Sequence, residues 1–173
     1  MKIAADKTLN LSPGPHSELI GEIVEQFAPR FLPGAQLIYV GDTRNKTGYF
    51  DEPALAALGV VVDSHGKFPD VVFHYQQKNW LVLIESVTSH GPVDGKRHAE
   101  LATLFSAFEN GLVFVTAFPS RRIMARYLDE LVKMTGWQAN SVRTFISTSA
   151  KSLGCAISST KGRDGKRRYR IER

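Results

Sequence analysis

Two acids pose the chemical question. Asp70 follows Pro69 at the mouth of an apolar run, VVFHY, and Glu85 closes the next run, WLVLIES. The polar residues Gln76, Gln77, Lys78 and Asn79 between them predict a turn, so two adjacent strands would bring both carboxylates to one edge of a sheet. Neighbouring carboxylates repel each other. A divalent cation relieves the repulsion, and hard oxygen ligands suit Mg2+. Phosphodiester hydrolysis needs a water activated near neutral pH and neutralisation of the charge growing on the phosphate. Asp70 and Glu85 as metal-binding acids, with Lys67, Lys96 and Arg97 nearby, read as a nuclease centre of that kind.

The spacing PD-x14-E is also compatible with two unrelated strand-end acids. In nucleases of the PD-(D/E)xK class an assisting lysine stands two residues after the second acid, where it orients the water or stabilises the transition state. Here that position is Val87. Lys96 is the first choice for a replacement cation. A helix projection places Arg97 closer to the apolar, sheet-facing stripe, which makes it the competitor, and Lys67 ranks third. Ser86 and Thr88 alternate to the opposite sheet face from Glu85 and read as structural. His65, His90 and His98 flank the centre, but no pair has zinc-site spacing, and a phosphate contact by His90 or His98 is the milder role. Asp42 either approaches the site or caps a turn. Cys155 reads as buried filler.

Regular elements must position these groups. Ser17 is a candidate cap for a helix over 18–27 that Pro29 and the Pro33-Gly34 turn would end. AQLIYVGDT predicts a strand, RNKTGYFDEP a turn and an extended segment, and residues 55–58 a short helix; VVVDSHG would continue the sheet. Strands over 71–75 and 80–87 carry the acids. A helix over 96–110 follows, with Asp94 as its cap, then a strand buried on both faces in LVFVTAF and a helix over 121–134. Beyond residue 128, two helices around Thr135, Gly136 and Trp137 would form a helix-turn-helix, the second starting near Gln138 or Asn140 with Val142, Phe145 and Ile146 inward. A basic β-hairpin would close a winged helix, with Trp137 and Tyr169 as its core aromatics.

The chain has 173 residues, 43% of them apolar, enough for a globular core. It contains no apolar run of membrane-span length and no secretory h-region, and its single cysteine excludes an internal disulfide. These features fit a cytoplasmic protein. The net charge is +5, yet residues 133–173 hold 10 Lys/Arg against 2 Asp/Glu. A basic tail on a mildly acidic body points to a polyanionic partner, with nucleic acid first.

The blocks LSPGPHSELI, EQFAPRFLPGAQLIYVGDT, HGKFPDVV, LIESVTSHGPVDGKRHAEL and LVFVTAFPSRRIMARYL resemble the catalytic domain of the BsuBI/PstI-type restriction endonucleases. That resemblance implies an α/β fold of the PD-(D/E)xK class, a central mixed sheet flanked by helices. It also implies Mg2+-dependent double-strand breaks at specific DNA sites, with Asp70 and Glu85 as the metal-binding acids. The family's members carry a DNA-binding region ahead of this domain, and its closing strand is not recognised after ARYL. From there the chain resembles a small uncharacterised bacterial helix-turn-helix family, through TGWQ-x-x-SVR and the YRI ending. The expected organisation is therefore an arm over 1–16, a nuclease domain over 17–127 and a winged-helix-like segment over 128–173. Asn140, Ser141, Arg143 and Thr144 would lie at the groove-facing start of the second helix, and Lys161, Arg163, Lys166, Arg167 and Arg168 on the backbone-following hairpin. Double-stranded DNA is the expected partner, and a homodimer would supply one centre for each strand. The rival reading is a catalytically inactive DNA-binding remnant; a weaker one is a regulator that binds a nuclease or methylase partner.

Overall fold

The apolar runs that carry the two acids form the middle of a six-stranded sheet. The computed structural model describes residues 1–3, 7–42, 46–61, 67–88, 94–108, 110–127, 129 and 144–147. Its strands are β1 (Gln36–Asp42), β2 (Lys46–Phe50), β3 (Val71–Tyr75), β4 (Trp80–Ser86), β5 (Gly111–Phe118) and β6 (Thr144–Ser147), in the order β2-β1-β3-β4-β5-β6. β1 pairs antiparallel with β2 and β3, and β3 antiparallel with β4; β4–β5 and β5–β6 are parallel. A single 3-10 turn, Gln76–Lys78, joins β3 to β4, and Asn79 closes it in the left-handed conformation (φ 50°) that asparagine tolerates better than most residues.

Helices cover both faces of the sheet. On one side α1 (Pro15–Glu22), a π-helical segment (Ile23–Phe27) and α2 (Ala28–Phe31) follow one another without a break. The helix expected over 18–27 therefore starts earlier and runs past Pro29. The Ala28 N–H bonds the Ile23 carbonyl, a wider turn than the α-helical one, and Pro29 then falls in the first turn of α2, where its missing N–H costs little. Leu19, Ile20, Ile23 and Phe27 pack from this layer onto Phe73, Val82, Ile84 and Val113. On the other side α3 (Glu52–Ala57) and α4 (Gly95–Leu104) cover Ile38, Val72, Leu81, Leu83 and Phe114, with Leu101 and Phe105 as the main α4 contributions. Alternate residues of β4 thus enter opposite cores, which explains its nearly unbroken apolar run. Asp94 caps α4 as expected, its carboxylate accepting the Arg97 N–H at 2.6 Å. The helix stops at Leu104, short of the expected 110. Val60 and Val61 join no strand.

The C-terminal expectation needs correction. Phe145 and Ile146 were expected on the inward face of a second helix, but Thr144–Ser147 is β6, paired parallel with the edge of β5. The physical reason is local composition and an open ladder. Thr144 and Ile146 are β-branched and Phe145 is aromatic, types that favour a strand, and β5 offers unpaired backbone groups. The sheet thus takes in residues beyond 127. Asn140, Ser141, Arg143, Lys161, Arg163, Lys166, Arg167, Arg168 and the expected hairpin lie outside the described residues, as do Trp137, Cys155 and Tyr169.

Phe105 is fully buried between α4 and the sheet, whereas Val61 is 85% exposed. Phe105→Ala is expected to destabilise the fold by about 3–5 kcal/mol and Val61→Ala by less than ~0.5 kcal/mol, measured by urea denaturation.

Candidate functional site

The register of β3 against β4 decides where the acids meet. Val71 lies opposite Ile84, so the next pair outward is Asp70 with Glu85. Beyond the end of β3, the Ser86 N–H turns to the Asp70 carboxylate and donates to Oδ2 at 2.6 Å. The Asp70 carbonyl accepts the Gly41 N–H at 2.8 Å, which ties the same point to the end of β1. Glu85 follows Leu81 and Leu83 onto the α4 face, and its parallel partner on β5, Thr116, is buried. The side chains of Asp70 and Glu85 remain 22% and 19% exposed, so the pair is reachable from solvent.

Each acid has a partner from a different helix layer. Arg97, in the first turn of α4, donates from Nε to Glu85 Oε1 at 2.7 Å and places Nη2 at 2.6 Å from the same oxygen. Its Nη1 and Nη2 also donate to the carbonyls of Lys67 and Phe68 at 3.0 and 2.8 Å, fastening the segment before β3 to α4. His16, in the first turn of α1, places Nε2 at 3.2 Å from Asp70 Oδ1. Burial and the neighbouring Asp70 charge push the Glu85 carboxyl from 4.5 up to about 7, against the opposing pull of Arg97 and His16. The hydrogen bond to Asp70 raises His16 above its ordinary 6.5. Two carboxylates placed this close, partly shielded from water, favour a further cation beside them.

A divalent ion would serve, and the donor set fits one kind. Among the described residues no three His, Cys, Asp or Glu side chains converge on a point. Zinc commonly needs three or four such ligands, whereas Mg2+ takes one or two carboxylates and keeps several waters. Asp70 and Glu85 suit the second.

The other sequence candidates separate cleanly. Lys96, the first choice for the assisting cation, has a side chain 84% exposed and an ion pair with Glu100 at 4.0 Å. It follows the Asp94 cap on the solvent side of α4, and Arg97 alone of the two turns towards the sheet. Val87 is 3% exposed among Phe118, Ile123, Met124 and Tyr127, so α5 (Arg121–Ala125) and the turn after it seal the position where the motif's lysine would stand. Asp42 is buried and accepts the Ser12 N–H and Oγ–H, both at 3.0 Å. His98 packs on Phe114 with ring centroids 4.1 Å apart. His65 and His90 lie outside the described residues. Sequence reasoning missed His16. Its one available signal was its position, just after Pro15 at the start of a helix.

A family profile for the BsuBI/PstI restriction endonuclease domain matches residues 1–149. The chain is 61% identical over 131 residues to the type II restriction enzyme BsuBI of Bacillus subtilis, a match covering 76% of this chain and 42% of that enzyme. It is 27% identical over 143 residues to the type II restriction enzyme AplI of Arthrospira platensis, covering 78% of this chain and 44% of that enzyme. The chain thus spans less than half the length of the curated relatives it matches. The SdaI restriction endonuclease has a similar solved structure, with a TM-score of 0.70 and 34% identity, covering 92% of this chain and 47% of that one.

The titration of the site predicts a pH dependence of stability. Between 4.5 and about 7 folded Glu85 keeps a proton that the unfolded chain has lost. Its contribution is therefore full below the unfolded value and disappears as pH rises through about 7. His16 acts in the same direction, stabilising fully below 6.5 and losing that contribution as pH rises through its raised value. In chelating buffer, the thermal midpoint is expected to fall between about pH 5 and pH 8. Glu85→Gln should flatten most of that fall, as followed by circular dichroism.

Proposed function

Because the chain belongs to the BsuBI/PstI restriction endonuclease family, we propose that it is the catalytic part of a type II restriction-like endonuclease. Its substrate is the phosphodiester backbone of double-stranded DNA and its metal is Mg2+. The observation that carries this reading is the cross-strand Asp70–Glu85 pair, in which burial first and the Asp70 charge second push Glu85 up to about 7. Bound there, Mg2+ supplies a water activated near neutral pH and neutralises charge on the phosphate.

Asp70 and Glu85 hold the ion through oxygens. Arg97 takes the place of the missing lysine, though by a different route: its two contacts fall on Glu85 Oε1, so it orients that carboxylate and keeps a positive charge beside the site. Val87 leaves no room for a lysine in the usual place. DNA is held in part by the basic stretch, where Lys161, Arg163, Lys166, Arg167 and Arg168 contact phosphates. Asn140, Ser141 and Arg143 add further contacts to the DNA. Two copies serve the two strands as a homodimer. No helix among the described residues is long and apolar enough to cross a membrane, and on this reading the protein meets its DNA in the cytoplasm.

A DNA-binding remnant without catalysis is the competing reading, and the sealed Val87 position favours it. Supercoiled plasmid incubated with Mg2+ or with EDTA separates the two. The nuclease reading expects discrete Mg2+-dependent fragments, lost by at least about 10²-fold in Asp70→Ala and Glu85→Ala. Arg97→Ala should slow cutting by about 10–100-fold, while Lys96→Ala leaves it unchanged. DNA shifted on a gel but never cut, with or without metal, would support the remnant.

A further inference from the structure

Asp70 is gripped at both oxygens, and the two grips come from different parts of the fold. Ser86 N–H holds Oδ2 from β4, and His16 Nε2 reaches Oδ1 from α1. We propose that His16 is a positioning residue for the metal centre: its ring N–H fixes the plane of the Asp70 carboxylate so that both acids present oxygens to one ion. This rests on the reading of Asp70 and Glu85 as metal ligands.

His16 is well placed to keep such a grip. The next turn of its helix is anchored by Leu19 and Ile20, 2% and 0% exposed against the sheet. The segment leading into the helix is held by Ser12, whose N–H and Oγ–H both donate to buried Asp42. Asp42 ends β1, and the neighbouring Gly41 N–H bonds the Asp70 carbonyl. The helix start and the acid are thus referenced to the same strand end, which fixes their separation. The arrangement parallels the one across the sheet, where Arg97 orients Glu85 from α4. A carboxylate held only by the Ser86 N–H could rotate about its terminal bond. A second donor removes that freedom, and outer-sphere partners of this type commonly govern metal affinity by about 10–100-fold. A neutral imidazole still donates one N–H, so this role does not require a charged ring.

Binding of Mn2+ to the whole chain, without DNA, tests the role at about pH 8. Free Mn2+ is followed by electron paramagnetic resonance for the wild type, His16→Ala, His16→Gln and Asp70→Ala. Asp70→Ala is expected to abolish the site. His16→Ala should weaken it by about 10–100-fold, and His16→Gln, whose amide can donate to Asp70, should recover most of the affinity. Wild-type affinity in His16→Ala, with binding still lost in Asp70→Ala, overturns the proposal alone. A Gln variant as weak as the Ala variant overturns it too, since the imidazole would then act as a ligand. Binding that survives Asp70→Ala instead overturns the metal reading on which it rests.

Discussion

Two carboxylates facing each other across the open ends of β3 and β4 are the constraint that the surrounding structure answers. The antiparallel register leaves no choice about their proximity once Val71 and Ile84 are paired. Burial makes the repulsion matter, because the α4 layer and the sheet exclude much of the water that would screen it. Arg97 and His16 each approach one acid from its own side, yet Glu85 still titrates near 7. Burial, ahead of the Asp70 charge, is the larger reason.

The layers on either side exist for packing, but they also aim these partners. On α4, Asp94 caps the first turn through the Arg97 N–H, so the cap that starts the helix also fixes the backbone of the residue that reaches Glu85. The Arg97 guanidinium then spends its remaining donors on the Lys67 and Phe68 carbonyls. Phe68 in turn stacks on Tyr39, ring centroids 4.6 Å apart, and meets Phe105 edge-on at 5.8 Å. The polar site is thereby continuous with the aromatic core beneath α4. On the opposite layer, the π-helical turn lets one helix pass through Pro29 and remain on the sheet.

The acids were legible in the sequence because strand alternation and a short polar turn are local signals, and together they determine a cross-strand pair. The Asp94 cap was legible for the same reason. Separating Arg97 from Lys96 needed the phase of a helix whose start had to be known to one residue; Lys96 was the first choice, although the projection put Arg97 nearer the sheet, and it is the Arg97 side chain that meets Glu85. His16 could not be found that way, since its partner lies on another element and nothing near LSPGPHSE announces the contact. Thr144–Ser147 was misread because four residues of mixed Thr, Phe, Ile and Ser satisfy a helical stripe as well as a strand. Only the free edge of β5 decides between them, and that edge is a property of the assembled sheet.

The central claim is that Asp70 and Glu85 share one divalent ion, and the most direct measurement is anomalous X-ray diffraction from crystals of the chain grown with Mn2+. The account predicts one anomalous peak within coordination distance of both carboxylates, with Arg97 still against Glu85 and water completing the sphere. An empty gap between the acids at saturating Mn2+, or a peak elsewhere that touches neither, would contradict it.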